Sequence, residues 1–358
     1  MRIGVLSHLH HPIREPFAGG LETHTAQTAE ALVRRGHEVV LYARDGSVAG
    51  PGVEVVPVLA EHAFGRVPAV VDIEEFESVM DAAFDAAVDD LRDRDVDVVL
   101  NESLNVRPYL AVPDLPMLTV LHTPATLDRV LRVVRSPLWR RSPLHRWVSV
   151  SATNARGWRA ALGPVDVVHN GIDLSLWRPG IGGGGFAVWT GRITPEKGLD
   201  IAIDACRTAG VELRIAGPIS DRDHFEDEIV PRLGLDVQYL GHLPHRDLAR
   251  LQRACDVFVN SPRWAEPFGL VSLEAMACGT PVATLPMGAT GEIVGSEGGI
   301  VATTNDSAGL ADAIVRARDL DRRTVRARAE RFTLERMVDT YVDHLADLAE
   351  LGRGRAVS

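Results

Sequence analysis

Gly182-Gly183-Gly184-Gly185-Phe186-Ala187-Val188-Trp189-Thr190-Gly191-Arg192 is the stretch in which the order of the chain starts again. Four glycines offer no side chains to pack. With Pro179 before them they read as a flexible connection, residues 173–185, between two units. Phe186 to Thr190 is a short apolar run bounded by glycine, which reads as a buried strand. A loop containing Arg192 follows, and 199–209 has helical spacing. The alternation then continues with strands at 212–216, 237–240, 257–260 and 281–284 and helices at 247–254 and 270–277.

Upstream of the glycines the same alternation is present. Strands are expected at 3–7, 38–43, 97–100, 117–121, 148–151 and 165–169. A helix at 21–35 is closed by Gly36, and a helix at 74–91 carries apolar Phe76, Met80, Phe84, Val88 and Leu91 at helical spacing. Strand–helix alternation predicts parallel sheets covered by helices on both faces. The fold class is α/β, with two doubly wound, Rossmann-like halves, 1–172 and 186–333, and a final helical stretch from about 334. A length of 358 residues suits two such units. Ligands bind these sheets outside the carboxyl ends of their strands, so the cleft between the halves is the expected site, and a mobile linker lets it close.

The formal charge is 38 − 49 = −11, which argues against general nucleic-acid binding. Cys206, Cys255 and Cys278 form no CxxC pair and read as small buried residues in a reducing compartment. No run approaches the roughly 18 apolar residues of a spanning helix, so a cytoplasmic protein is expected. The basic residues are arginine with one exception, Lys197.

Three loops carry chemistry. Phe17-Ala18-Gly19-Gly20-Leu21-Glu22 follows the first strand and opens a helix, so its glycines and free N–H groups suit a close-lying anion, or simply a tight turn. Gly191-Arg192-Ile193-Thr194-Pro195-Glu196-Lys197-Gly198 repeats that arrangement with a planar guanidinium and a compact ammonium, the two cations a diphosphate wants. Trp264-Ala265-Glu266-Pro267-Phe268-Gly269-Leu270-Val271-Ser272-Leu273-Glu274 places two glutamates eight positions apart. Glu274 falls inside an otherwise apolar helix, where a carboxylate is costly without partners and the paired hydroxyls of a ribose would satisfy it.

These loops, with Asn170-Gly171-Ile172-Asp173, resemble the large retaining glycosyltransferase family 4 of GT-B fold, in family order over about residues 1–285. The resemblance implies that Arg192 and Lys197 bind a donor diphosphate and that Glu274 holds the ribose. It implies that Glu266 faces the transferred sugar, with amides of Phe268, Gly269 and Leu270 beside it, and that Gly19 and Gly20 let the first helix approach the phosphates. His122, in Leu121-His122-Thr123-Pro124, matches the family's cleft histidine; on its own it is a histidine at a strand end. The catalytic set so implied is His122, Glu266, Arg192 and Lys197. The implied reaction is retaining hexosyl transfer to an acceptor hydroxyl, with no metal and no cofactor beyond the nucleotide-diphosphate sugar co-substrate, a UDP-sugar favoured. The final helix, 334–358, resembles the segment that crosses back to the N-terminal half. Asp95-Val96-Asp97 and Asp221-Arg222-Asp223 look like metal-binding Asp-x-Asp but read as surface charges. Readings of other classes are a nucleotide-sugar epimerase of the same fold and a non-catalytic nucleotide-sugar binder; a dinucleotide oxidoreductase lacks its GxGxxG after the first strand. Arg129, Arg132, Arg135, Arg140, Arg141 and Arg146, with Trp139 and Trp147 interleaved and no acid between, read either as a surface for an anionic acceptor or anionic membrane, or as a solvated basic face.

Overall fold

The structure, a computed structural model, describes residues 1–63 and 73–356. Residues 64–72, within the first half, and 357–358, at the end of the expected final helix, lie outside the described residues.

Two parallel sheets are present. In the first, β1 (Arg2–Leu6), β2 (Glu38–Arg44), β3 (Val53–Leu59), β4 (Val98–Asn101), β5 (Met117–Leu121), β6 (His145–Ser149) and β7 (Asp166–Val167) lie in the order β3-β2-β1-β4-β5-β6-β7. In the second, β8 (Phe186–Thr190), β9 (Glu212–Ala216), β10 (Val237–Tyr239), β11 (Val257–Asn260), β12 (Val282–Thr284) and β13 (Gly299–Val301) lie in the order β10-β9-β8-β11-β12-β13. Every residue of β4, β5, β8, β11 and β12 is buried, as expected of central strands covered on both faces. Each sheet is wound outward from one central strand and then to its other side. The order reverses between β1 and β4 and between β8 and β11, and there the loops leave on opposite faces and open a crevice.

Helices cover the sheets by their apolar stripes. Gly20–Arg34 turns Ala26, Ala29 and Leu32 inward and stops at Gly36. Ile73–Asp93 buries Met80, Ala83, Phe84, Ala87, Val88 and Leu91, which recur at the three- and four-residue spacing of one helix face. The final helix, Leu334–Ala356, packs Val338, Tyr341, Leu345 and Leu348 against the first helix, β4 and β5.

Two differences from the expected elements have physical reasons. The glycine run is not a free tether. Amides of Gly180, Gly182 and Gly184 donate to the carbonyls of Cys278, Arg253 and Ala254 at 2.9, 3.1 and 3.0 Å, so 180–184 lies along the second half. The chain crosses between halves twice, the second time into the final helix as expected: Ile172 pairs in parallel with Thr333, and the two crossings run side by side. β3 was not anticipated, because Pro57 sits within it; at the sheet edge a missing N–H leaves no ladder bond unmade.

Candidate active site

A cavity of about 380 Å³ lies between the carboxyl ends of the two sheets and is lined from both halves. All ten residues singled out from the sequence border it.

The second half supplies most of the charge. Arg192 follows β8 and has no hydrogen-bond or ion-pair partner among the described residues. Burial chiefly, with a smaller part from the Arg192 charge, lowers the pKa of His8, His10 and His11 across the cleft. Lys197 ends the short turn Pro195–Lys197, and the Ser261 hydroxyl holds that turn by donating to the Lys197 carbonyl at 3.1 Å. Glu266 lies in the loop after β11. Its Oε2 accepts from Lys197 Nζ at 2.8 Å and from Trp264 Nε1 at 3.0 Å, and the same ammonium stands 4.9 Å over the Trp264 ring. Lys197 and Glu266 were expected in separate roles, one on phosphate and one on sugar. In the structure they neutralise each other, as opposite charges in a partly buried cleft do.

Helix Leu270–Ala277 begins at Gly269, whose φ of 89° is left-handed and open to few other residues. That turn brings Phe268, Gly269 and Leu270 to the cavity, where the first N–H groups of a helix lack intrahelical partners. One turn further, Glu274 is 6% exposed and, among the described residues, its carboxylate has no hydrogen-bond or ion-pair partner. Burial alone pushes its pKa up to about 8. A carboxylate so placed is a receptor for hydroxyl donors that the protein does not itself provide.

The first half presents Gly19, extended at the N-cap of the first helix, and Gly20, where a β-carbon would stand 3.0 Å from Leu270 Cδ1 of the other half. His122 stands one residue beyond β5. Its Nε2 is buried without a partner, and burial, with His24 and His8 beside it, holds the ring well below the usual imidazole range, hence neutral. Cleft residues that sequence reasoning missed are His8, His10, His11 and Glu22. His8 and His10 stack at 5.7 Å, and burial brings each pKa down to about 3. Glu22 is 4% exposed, and burial raises its pKa. Three imidazoles in His8-Leu9-His10-His11, directly after the first strand, were a signal that could have found them.

The basic stretch 129–146 does not form one face. Arg129 pairs with Asp81 and Glu77, and Arg146 with Asp347, so acids absent from the local sequence arrive from the helices Ile73–Asp93 and Leu334–Ala356. Trp147 belongs to β6 and is 2% exposed, with Arg141 lying 4.4 Å over its ring. Arg132, Arg135 and Arg140 remain exposed beside Leu138. Among the described residues no helix is long and apolar enough to cross a membrane. Asp97 accepts the Arg2 amide, and Asp221 caps a short helix by accepting from the His224 amide; neither lines the cavity.

Residues 18–176 match the Glycosyltransferase Family 4 model and residues 180–331 the Glycosyl transferases group 1 model. Glycogen synthase of Mycobacterium tuberculosis is 30% identical, over 88% of this chain and 85% of its own. D-inositol 3-phosphate glycosyltransferase of Saccharomonospora viridis is 28% identical over 99% and 96%. Anabaena HepE, solved in complex with UDP-glucose, has the same fold at a TM-score of 0.73 and 20% identity, over 97% of this chain and 100% of that one. With two doubly wound halves, a cation pair and a buried unpartnered carboxylate at the cleft, the chain belongs to glycosyltransferase family 4, enzymes of GT-B fold that transfer a glycosyl group from a nucleotide sugar.

Proposed function

We propose that this enzyme is a retaining hexosyltransferase that needs no metal and moves its sugar from a nucleotide-diphosphate donor, a UDP-sugar first among them, to an acceptor hydroxyl. The observation that carries the donor assignment is Glu274: a buried carboxylate, unpartnered, facing a cavity that also holds an unpaired guanidinium. Ribose hydroxyls donate to Glu274 while Arg192 and Lys197 take the diphosphate. The leaving diphosphate gains negative charge as the glycosyl bond breaks, and two fixed cations in a cleft shielded from water counter it without a metal ion. Glu266, released from Lys197 when phosphate enters, is free to accept from sugar hydroxyls, and the amides of Phe268, Gly269 and Leu270 line that end. Retention of configuration follows from the family resemblance. UDP is the first base to test because the Anabaena neighbour carries UDP-glucose.

We place the protein in the cytoplasm, where its buried thiols, pushed up to about 12 by burial, stay reduced. The exposed Arg132, Arg135 and Arg140 are the part of the basic stretch we assign to an anionic acceptor or membrane surface.

The test is a melting-temperature screen in EDTA against UDP, GDP, ADP, TDP and their sugar conjugates, followed by NMR of the product's anomeric proton. A selective rise with one sugar conjugate and a retained configuration support the reading. Donor stabilisation that appears only when a divalent ion is added, or an inverted product, overturns it. A sugar epimer formed without any acceptor identifies an isomerase instead.

A further inference from the structure

Behind the cleft wall the first half holds a polar cluster that backs His122, the one member of it bordering the cavity. His24 and Thr25 come from the first helix, Glu102 from the residue after β4, His122 from the residue after β5, and Tyr341 from the final helix. Glu102 is fully buried and His24 is 3% exposed. His24 Nε2 lies 3.0 Å from Glu102 Oε1, and the Thr25 hydroxyl donates to Glu102 Oε2. The His24 and His122 rings meet edge to face at 4.6 Å. One side-chain N or O atom from each of His24, Glu102 and His122 lies within 4.8 Å of the other two. Yet His24 Nε2, Glu102 Oε1, His122 Nε2 and the Tyr341 hydroxyl all lack an aligned hydrogen-bond partner.

Three buried side chains with open polar atoms side by side, and the Tyr341 ring against His24, are expensive separately and less so together. A buried carboxylate has to be answered by a proton or a cation. Among the described residues no arginine or lysine is paired with Glu102; the groups beside it are imidazoles and a hydroxyl. His24 is the imidazole nearest to it, with Nε2 3.0 Å from Oε1, and the His122 ring packs edge to face on His24. Burial, with His24 and His8 beside it, disfavours the protonated form of His122. His122 therefore meets the carboxylate as a neutral donor, and a neutral imidazole that donates from Nε2 keeps an open lone pair on Nδ1.

We propose that Glu102, held by Thr25 and His24, is the positioning residue for His122: it accepts the His122 Nε2–H, directly or through one water, fixes that tautomer, and leaves Nδ1 to accept a hydrogen bond from a substrate hydroxyl at the cavity. The part concerning substrate rests on the transferase reading; the tautomer does not. A carboxylate behind an imidazole sets ring orientation and tautomer in many catalytic and metal sites, and loss of it leaves the ring in place but wrongly protonated.

The experiment is two-bond proton–nitrogen NMR of protein labelled with ¹⁵N-histidine, with His122 assigned by its absence in His122→Gln, together with kinetics and elemental analysis. The expected result is Nε2–H His122 in the wild type from pH 6 to 8. In Glu102→Leu that tautomer is lost, and kcat falls about tenfold or more while donor KM stays within about twofold. An Nδ1–H tautomer in the wild type overturns the proposal without any variant, so a Glu102→Leu protein that fails to fold does not leave it undecided. An unchanged tautomer in Glu102→Leu overturns it too. So does a stoichiometric zinc or other divalent ion in the purified protein, which would make the three side chains metal ligands. An Nε2–H His122 in a protein inactive with every donor supports the positioning role and sinks the transferase reading instead.

Discussion

Donor binding should release a proton, and Glu274 is the reason. Its carboxyl, held at a pKa of about 8 by burial, carries about 0.9 of a proton at pH 7. Accepting two ribose hydroxyls favours the charged form, so the bound pKa falls below the free one. Affinity then rises with pH up to the free pKa, close to tenfold per unit between pH 6 and 7.5, and levels off above about pH 8. The cost of ionising the group at pH 7 is about 1.4 kcal/mol. Replacing a charged acceptor by a neutral one gives up roughly 1–2 kcal/mol, so Glu274→Gln should bind about 5- to 30-fold more weakly at pH 8.5 and lose the pH dependence. The assay is calorimetric titration with a UDP-sugar, whose diphosphate diester does not titrate in this range, repeated in buffers of different ionisation enthalpy so that released protons are counted directly. A pH-independent Kd in the wild type, or the same slope in Glu274→Gln, would refute the assignment of this carboxylate to the donor. The free enzyme offers a second check. A carboxyl whose folded pKa is raised holds a proton that the unfolded chain has lost, so folding stability falls as pH rises from about 4.5 toward 8. Glu274→Gln should therefore melt higher than wild type at pH 8, with the gap closing near pH 5.

Lys197→Ala should lower kcat by about 10²- to 10³-fold, roughly 2.7–4 kcal/mol of lost stabilisation of the leaving group, with the melting temperature nearly unchanged; wild-type turnover would mean that the phosphates lie elsewhere. Gly269→Ala forces a β-carbon into a left-handed turn and should cost about 1–2 kcal/mol of stability in a denaturant titration, with weaker donor binding as the helix start shifts. For the basic stretch, Arg132→Glu/Arg135→Glu/Arg140→Glu should reduce co-sedimentation with vesicles of anionic lipid, while Arg129→Ala should not, because Asp81 and Glu77 already hold that guanidinium.

What the sequence made legible is what is local. The two sheets were readable because buried parallel strands are short apolar runs, and a glycine run separates their two series. The second half's share of the cavity lining was readable because its pieces are contiguous: one loop bears Arg192 and Lys197, and one strand–loop–helix bears Glu266 and Glu274. What the sequence concealed is what the fold brings from afar. Arg129 to Arg146 looks like an uninterrupted basic surface only while Asp81 and Asp347 are 48 and 201 positions from their partners.

The same distance hides the cluster behind His122. No window of sequence contains His24, Glu102, His122 and Tyr341; they meet because β4 and β5 lie side by side while the first and last helices cover that end of the sheet. Tyr341 belongs to the last helix to be made, so the pocket around Glu102 is complete only after the chain has crossed between the halves twice. The linker contacts point the same way: Gly180, Gly182 and Gly184 are tied along the second half, and Ile172 against Thr333, so closing motion has to bend the paired crossings rather than a loose glycine tether. A cleft built on such a double crossing keeps His122 and Glu274 on opposing walls at a fixed register. That register is what a substrate spanning from ribose to transferred sugar requires.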